Sequence, residues 1–135
     1  MKKTFILLLL LGAPMCLLAQ ALTIGKTRDQ IRDMVRATPT FKLATGENSD
    51  TLNFQAGMQT IFYYTDNVCN GSRSRFPLIF KDMIIKKMSD DGYVKVGDNV
   101  WTDSKKRVRI VITEDKANNF GFSDASRLDD AAGKD

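Results

Sequence analysis

Histidine is absent from all 135 residues, which removes much of the common catalytic vocabulary. Ser-His-Asp triads, Cys-His nucleophiles, His-Glu-x-x-His zinc sites and three-histidine metal centres all require it. The chemistry left to the chain rests on carboxylates, lysine, tyrosine, serine and two cysteines, Cys16 and Cys69. Cys69 follows the apolar run Ile61-Phe62-Tyr63-Tyr64 and reads as a small buried hydrophobe, with an intermolecular or redox role as the alternative. A nucleophilic thiolate would need a base beside it, and the usual one is missing. Carboxylate pairs stand at Asp90-Asp91 and Asp129-Asp130, the first at a helix end and the second near the C-terminus. Glycosidase chemistry needs two carboxylates facing one cleft, so both pairs read as solvated acids. The stretch Asp66-Asn67-Val68-Cys69-Asn70-Gly71 imitates the start of a calcium loop. Val68 takes a ligand position, however, and Pro77 stands where the bidentate glutamate belongs. There is no Ser-x-x-Lys and no glycine-rich phosphate loop. The expectation is a chain without catalysis, cofactor or metal.

Recognition is better served. Tyr63, Tyr64, Tyr93 and Trp101 are the candidate interaction residues, since tyrosine and tryptophan combine large contact area with a polar tip. Adjacent Tyr63 and Tyr64 must point to opposite faces of a strand, so one is available when the other is core. Basic clusters occur at Arg73/Arg75, Lys86/Lys87 and Lys105-Lys106-Arg107. Nucleic-acid binding would want a larger charge excess on one face and is not expected. The third cluster reads as a hairpin tip, or more weakly as a contact for anionic lipid or cell-wall polymer. Two short patterns suggest modification: Asn70-Gly71-Ser72 fits an N-glycosylation sequon. Asp50-Thr51-Leu52, in an exposed turn expected from the turn-rich stretch Gly46–Asp50, resembles the acceptor of a periplasmic bacterial O-glycosylation system.

The N-terminus, MKKTFILLLLLGAPMCLLAQ, has two lysines, an apolar run and no acid, and reads as a cleaved secretory leader over residues 1–20. Gly12 and Pro14 interrupt a stretch already short for a ~20-residue membrane span. Pro14 and Met15 precede Cys16 where a lipoprotein signal would place small residues, so lipidation is not expected. Loss of the leader takes Lys2 and Lys3 away and lowers the formal charge from +4 to +2. The expected location is periplasmic or secreted, without stable membrane insertion. Cys69 is then left as the one mature cysteine, with no partner for an internal disulfide.

Elements that would position these residues follow from the pattern. Thr27 and Gln30 form a capping box, with Ile31, Met34 and Val35 on one face and Pro39 closing a helix over about residues 27–37. Alternation then predicts strands around Phe41/Leu43, Leu52/Phe54/Ala56 and Met58–Tyr64. Residues 66–75 read as a loop by composition. A second helix starts at Pro77, carries Phe80, Met83, Ile84 and Met88, and stops at Gly92. Strands follow at Tyr93–Val96, Val100-Trp101, Val108–Ile112 and Phe120–Phe122. The sum is an α+β fold of two helix-plus-antiparallel-strand units, with helices packed on one face of an antiparallel sheet. It forms one domain over 21–122, with 123–135 a flexible C-terminal tail.

The segment Gly25-Lys26-Thr27-Arg28-Asp29-Gln30-Ile31-Arg32-Asp33-Met34-Val35 resembles the opening of the SmpA/OmlA family of small outer-membrane assembly lipoproteins. That pattern runs Gly-x-Thr-x-x-Gln-Val-x-x-Leu-Leu-Gly-x-Pro; here Arg36 replaces the glycine and Pro39 comes one residue late. The twice-used helix-plus-strands order resembles the β-lactamase-inhibitor-protein-like fold. Both resemblances imply a noncatalytic binding role and transfer no site residue. The expectation is therefore an exported bacterial protein-binding domain, its partner unknown. The alternative is a cystatin or nuclear-transport-factor type of fold holding a small apolar ligand in a cavity lined by Phe54, Phe62 and Ile84.

Overall fold

The computed structural model describes residues 23–37, 41–54 and 57–128. The leader with Cys16, the Asp129-Asp130 pair, Pro39 and Ala56 lie outside the described residues. Helix α1 spans Arg28–Arg36, and its capping box is complete: Gln30 N donates to Thr27 Oγ1 at 3.2 Å and Thr27 N to Gln30 Oε1 at 3.0 Å. Four strands follow: β1 (Lys42–Thr45), β2 (Ser49–Asn53), β3 (Gln59–Thr65) and β4 (Val68–Pro77). A 3-10 turn over Leu78–Phe80 leads into α2 (Lys81–Asp90). Gly92, at φ +96°, ends that helix, with Tyr93 N donating to Met88 O at 3.0 Å. The remaining strands are β5 (Val94–Gly97), β6 (Val100–Asp103), β7 (Val108–Asp115) and β8 (Phe120–Arg127).

All eight strands join one antiparallel sheet in the order β1-β2-β3-β4-β8-β7-β6-β5. This corrects the α+β expectation of two helix-plus-strand units: strand makes up half of the described residues and the two helices are short, so the chain is mainly β. Two sequence signals misled. Residues 66–75 contain little that is apolar, yet only Asp66 and Asn67 form the turn, with φ of 52° and 63°. Asp and Asn tolerate the left-handed geometry that a two-residue hairpin needs. The rest is β4, at ten residues the longest strand, and Pro77 is its last residue rather than the first turn of a helix. Nor is there a tail from residue 123, because β8 continues to Arg127 and buries Ser123 and Ala125.

One face of the sheet is covered by both helices. Directly opposed residues in antiparallel ladders share a face, so Phe62, Ser72, Ala125, Ile110 and Trp101 form one row across β3, β4, β8, β7 and β6. Ile31 of α1 packs with Leu52, Phe62, Tyr64 and Cys69. Ile84 and Met88 of α2 pack with Phe76, Tyr93, Trp101, Val108, Ile110, Ile112 and Ala125. Ile24 touches both clusters. A seam of hydroxyls lies on the covered side of the central strands, where Thr60 and Ser74 hydrogen-bond at 2.7 Å. Small residues are required there for packing: a Cβ on Gly121 would meet the Phe76 ring at 2.4 Å.

Candidate interaction surface

The burial pattern sorts the four candidate aromatics. Tyr64, Tyr93 and Trp101 are buried on the covered face, and only Tyr63, 42% exposed, points away from it. The expected patch of Tyr63 with Tyr93 or Trp101 therefore does not form, because those rings are spent packing against the helices. Tyr93 sits under the Lys106 ammonium, 5.1 Å from its ring centre, and burial raises its hydroxyl to about 12, with Asp103 and Asp91 adding to the rise.

Tyr64 belongs to a network that sequence reasoning missed. Asp50 has no exposed surface, yet its oxygens accept from Arg28 at 2.7 and 3.3 Å, from Arg32 at 3.3 and 3.4 Å, and from the Tyr64 hydroxyl at 3.0 Å. Burial alone would raise this carboxyl; the bonds from Arg28, Arg32 and Tyr64 outweigh it and hold the group below its ordinary range. Arg28 also donates to the carbonyls of Gly46 and Glu47 at 2.6 and 2.9 Å and lies 5.0 Å above the Tyr64 ring. With its oxygens taken up in these bonds, Asp50 serves to fasten α1 to the β1–β2 hairpin. The carboxylate is closed to a substrate.

Other sequence candidates are likewise absorbed by structure. Cys69 is fully buried, and burial pushes its thiol up; its Sγ donates to the Gly71 carbonyl at 3.4 Å. Thr51 is half-buried within β2 rather than in an exposed turn, and Asn70 Nδ2 donates to Thr65 Oγ1 at 2.6 Å. Among the described residues, no three of Cys, Asp and Glu gather closely enough to hold a metal ion. Phe62 packs in the cluster under α1 and Ile84 in the cluster under α2. An open hollow of about 600 Å³ lies beside Lys81, Asn99, Ile112, Glu114 and Lys116, where the Lys81–Glu114 ion pair makes it polar.

The second face of the sheet is the one that neither described helix covers. Its rows are Thr51, Ile61, Arg73, Asp124, Val111 and Val100; then Asn53, Gln59, Arg75, Phe122 and Thr113; then Ser49, Tyr63, Gly71, Ser126, Arg109 and Thr102. The alternation of Arg73 and Arg75 with Ser72, Ser74 and Phe76 was the sequence signal for this face. Arg73 grips Asp124 with two bonds of 2.7 and 3.0 Å and lies 4.9 Å above the Phe122 ring. Arg75 lies 5.0 Å above Phe120 and donates to the Gly57 carbonyl at 3.0 Å. Stacked guanidinium groups of this kind are planar, weakly hydrated and suited to contact.

Known protein families, curated proteins and solved structures offer no match to this chain. The open face must therefore be read from its own chemistry. Solvated sheet faces are ordinarily polar. This one carries Ile61, Tyr63, Val111, Phe120 and Phe122 between arginines, which is the composition of a contact surface rather than of a wetted one.

Proposed function

We propose that the chain is an exported bacterial protein that works without catalysis, by binding another protein of the cell envelope or extracellular space through the open face of its sheet. The single observation that supports this reading is the open face of the eight-stranded sheet, uncovered among the described residues, with Tyr63 exposed and arginines stacked on phenyl rings. Rings and stacked arginines are the residues that dominate binding hot spots. The N-terminal leader motivates export, and the resemblance of Gly25–Val35 to small envelope proteins points the same way. No helix among the described residues is long and apolar enough to cross a membrane.

Site-specific photo-crosslinking in cells tests the reading. A benzophenone amino acid in place of Tyr63 is expected to trap a discrete envelope protein. The same probe at Lys86, on the exposed side of α2, is expected to trap none. Equal trapping at both positions, or none at position 63, would remove the open face as the binding surface. Fractionation and intact mass of the same protein test export and loss of residues 1–20.

A further inference from the structure

The open face also says what sort of partner it takes, an inference that rests on the binding role proposed above. Its anions are already used internally. Asp124 is held by Arg73, and Asp115 accepts from Asn118 N at 3.3 Å and from its Nδ2 at 2.8 Å. Its cations are not all neutralised. Arg75 donates only to a carbonyl, and Arg109 makes no ion pair or hydrogen bond among the described residues. Between Tyr63 on β3 and Arg109 on β7 the row is floored by Gly71 and Ser126. With strands ~4.8 Å apart, that low floor lies in a trough about 14 Å from end to end. Arg73 flanks it in the next row, opposite Asp124.

We propose that this trough receives a carboxylate side chain of an acidic, partly apolar protein segment. The carboxylate lies over Gly71 and Ser126, paired with Arg109, while neighbouring apolar side chains rest on Ile61, Phe122 and Val111. A half-buried arginine beside rings and branched aliphatics recognises a single fixed carboxylate better than a diffuse anionic layer.

Titration of the isotope-labelled protein with a short peptide alternating Glu and Val, followed by amide NMR, tests this directly. Shifts centred on Gly71, Ser126 and Arg109 are expected, with at least about tenfold weaker binding for the peptide carrying Gln in place of Glu and weakening at high salt. Arg109→Glu should abolish the shifts, and Arg109→Gln should reduce them, each with an unchanged thermal midpoint. No binding, equal binding of the Glu and Gln peptides, or shifts centred elsewhere would overturn the inference. Shifts at the same residues with phosphatidylglycerol vesicles, and none with peptide, would assign the face to lipid and also overturn it. Crosslinking from position 63 keeps the two readings apart. A protein trapped there regardless of salt or of Arg109→Glu leaves the open-face role standing and removes the acidic partner.

Discussion

A carboxylate sealed from water is costly unless charged donors surround it, and Asp50 shows how local that compensation is. From the sequence it reads as a turn residue, because Gly46 to Asp50 is rich in turn formers and Arg28 lies more than twenty positions away. Pairing across that distance has no periodic signature, so the network was not legible. Asp50→Asn keeps the shape and removes the charge, leaving two arginines facing a neutral amide. The expected cost is about 3 kcal/mol in chemical denaturation, the scale for breaking a buried pair. The pH dependence follows from the sign of the shift. The folded carboxyl lies below its ordinary value of 3.8, so its stabilisation is full above that value and is lost as pH falls through the folded one. Denaturation curves of the wild type should therefore lose stability below about pH 4 more steeply than those of Asp50→Asn.

Strands β4 and β8 carry the main lesson at the level of elements. The helices were readable because capping chemistry is local: Thr27, Gln30 and Gly92 stand where the structure uses them. Strand β4 was not, because its buried side holds Cys69, Ser72, Ser74 and one large residue, Phe76, where an outer strand would carry Val or Ile. Strand β8 repeats the pattern with Gly121, Ser123 and Ala125. Both strands lie under the junction of two packed clusters, where large side chains have no room, so apolar alternation fails at the centre of the sheet. A chain ending at Phe122 would keep all the strong apolar strand signals yet lose the part of β8 that pairs Ser123–Ser126 with both neighbours. Circular dichroism and amide NMR should show it unfolded; a native-like spectrum would return residues 123–127 to the status of a dispensable tail.

At the scale of the whole sheet, β1 and β5 are its edges among the described residues. Strand β5 leaves Val94 and Val96 more than half exposed, a composition that invites pairing with another chain. Two features oppose it: a register shift between Lys95 and Gly97, and Lys95 itself, whose ammonium lies 5.6 Å from the Trp101 ring centre. Lys95→Val should therefore produce concentration-dependent self-association in sedimentation velocity, while the wild type at the same concentration does not. A monomeric variant would mean that the bulge alone guards the edge.

The two strands at the middle of the sheet, β4 and β8, are joined directly, although Gly71 and its partner Ser126 are 55 positions apart. The eighth strand to be synthesised is thus the one that unites the first four with the other three. Until it emerges, neither side has its inner neighbour, and closing so long a loop is slow. A chain built this way closes its sheet only with its last strand, so the two halves are held together by the residues that are made last.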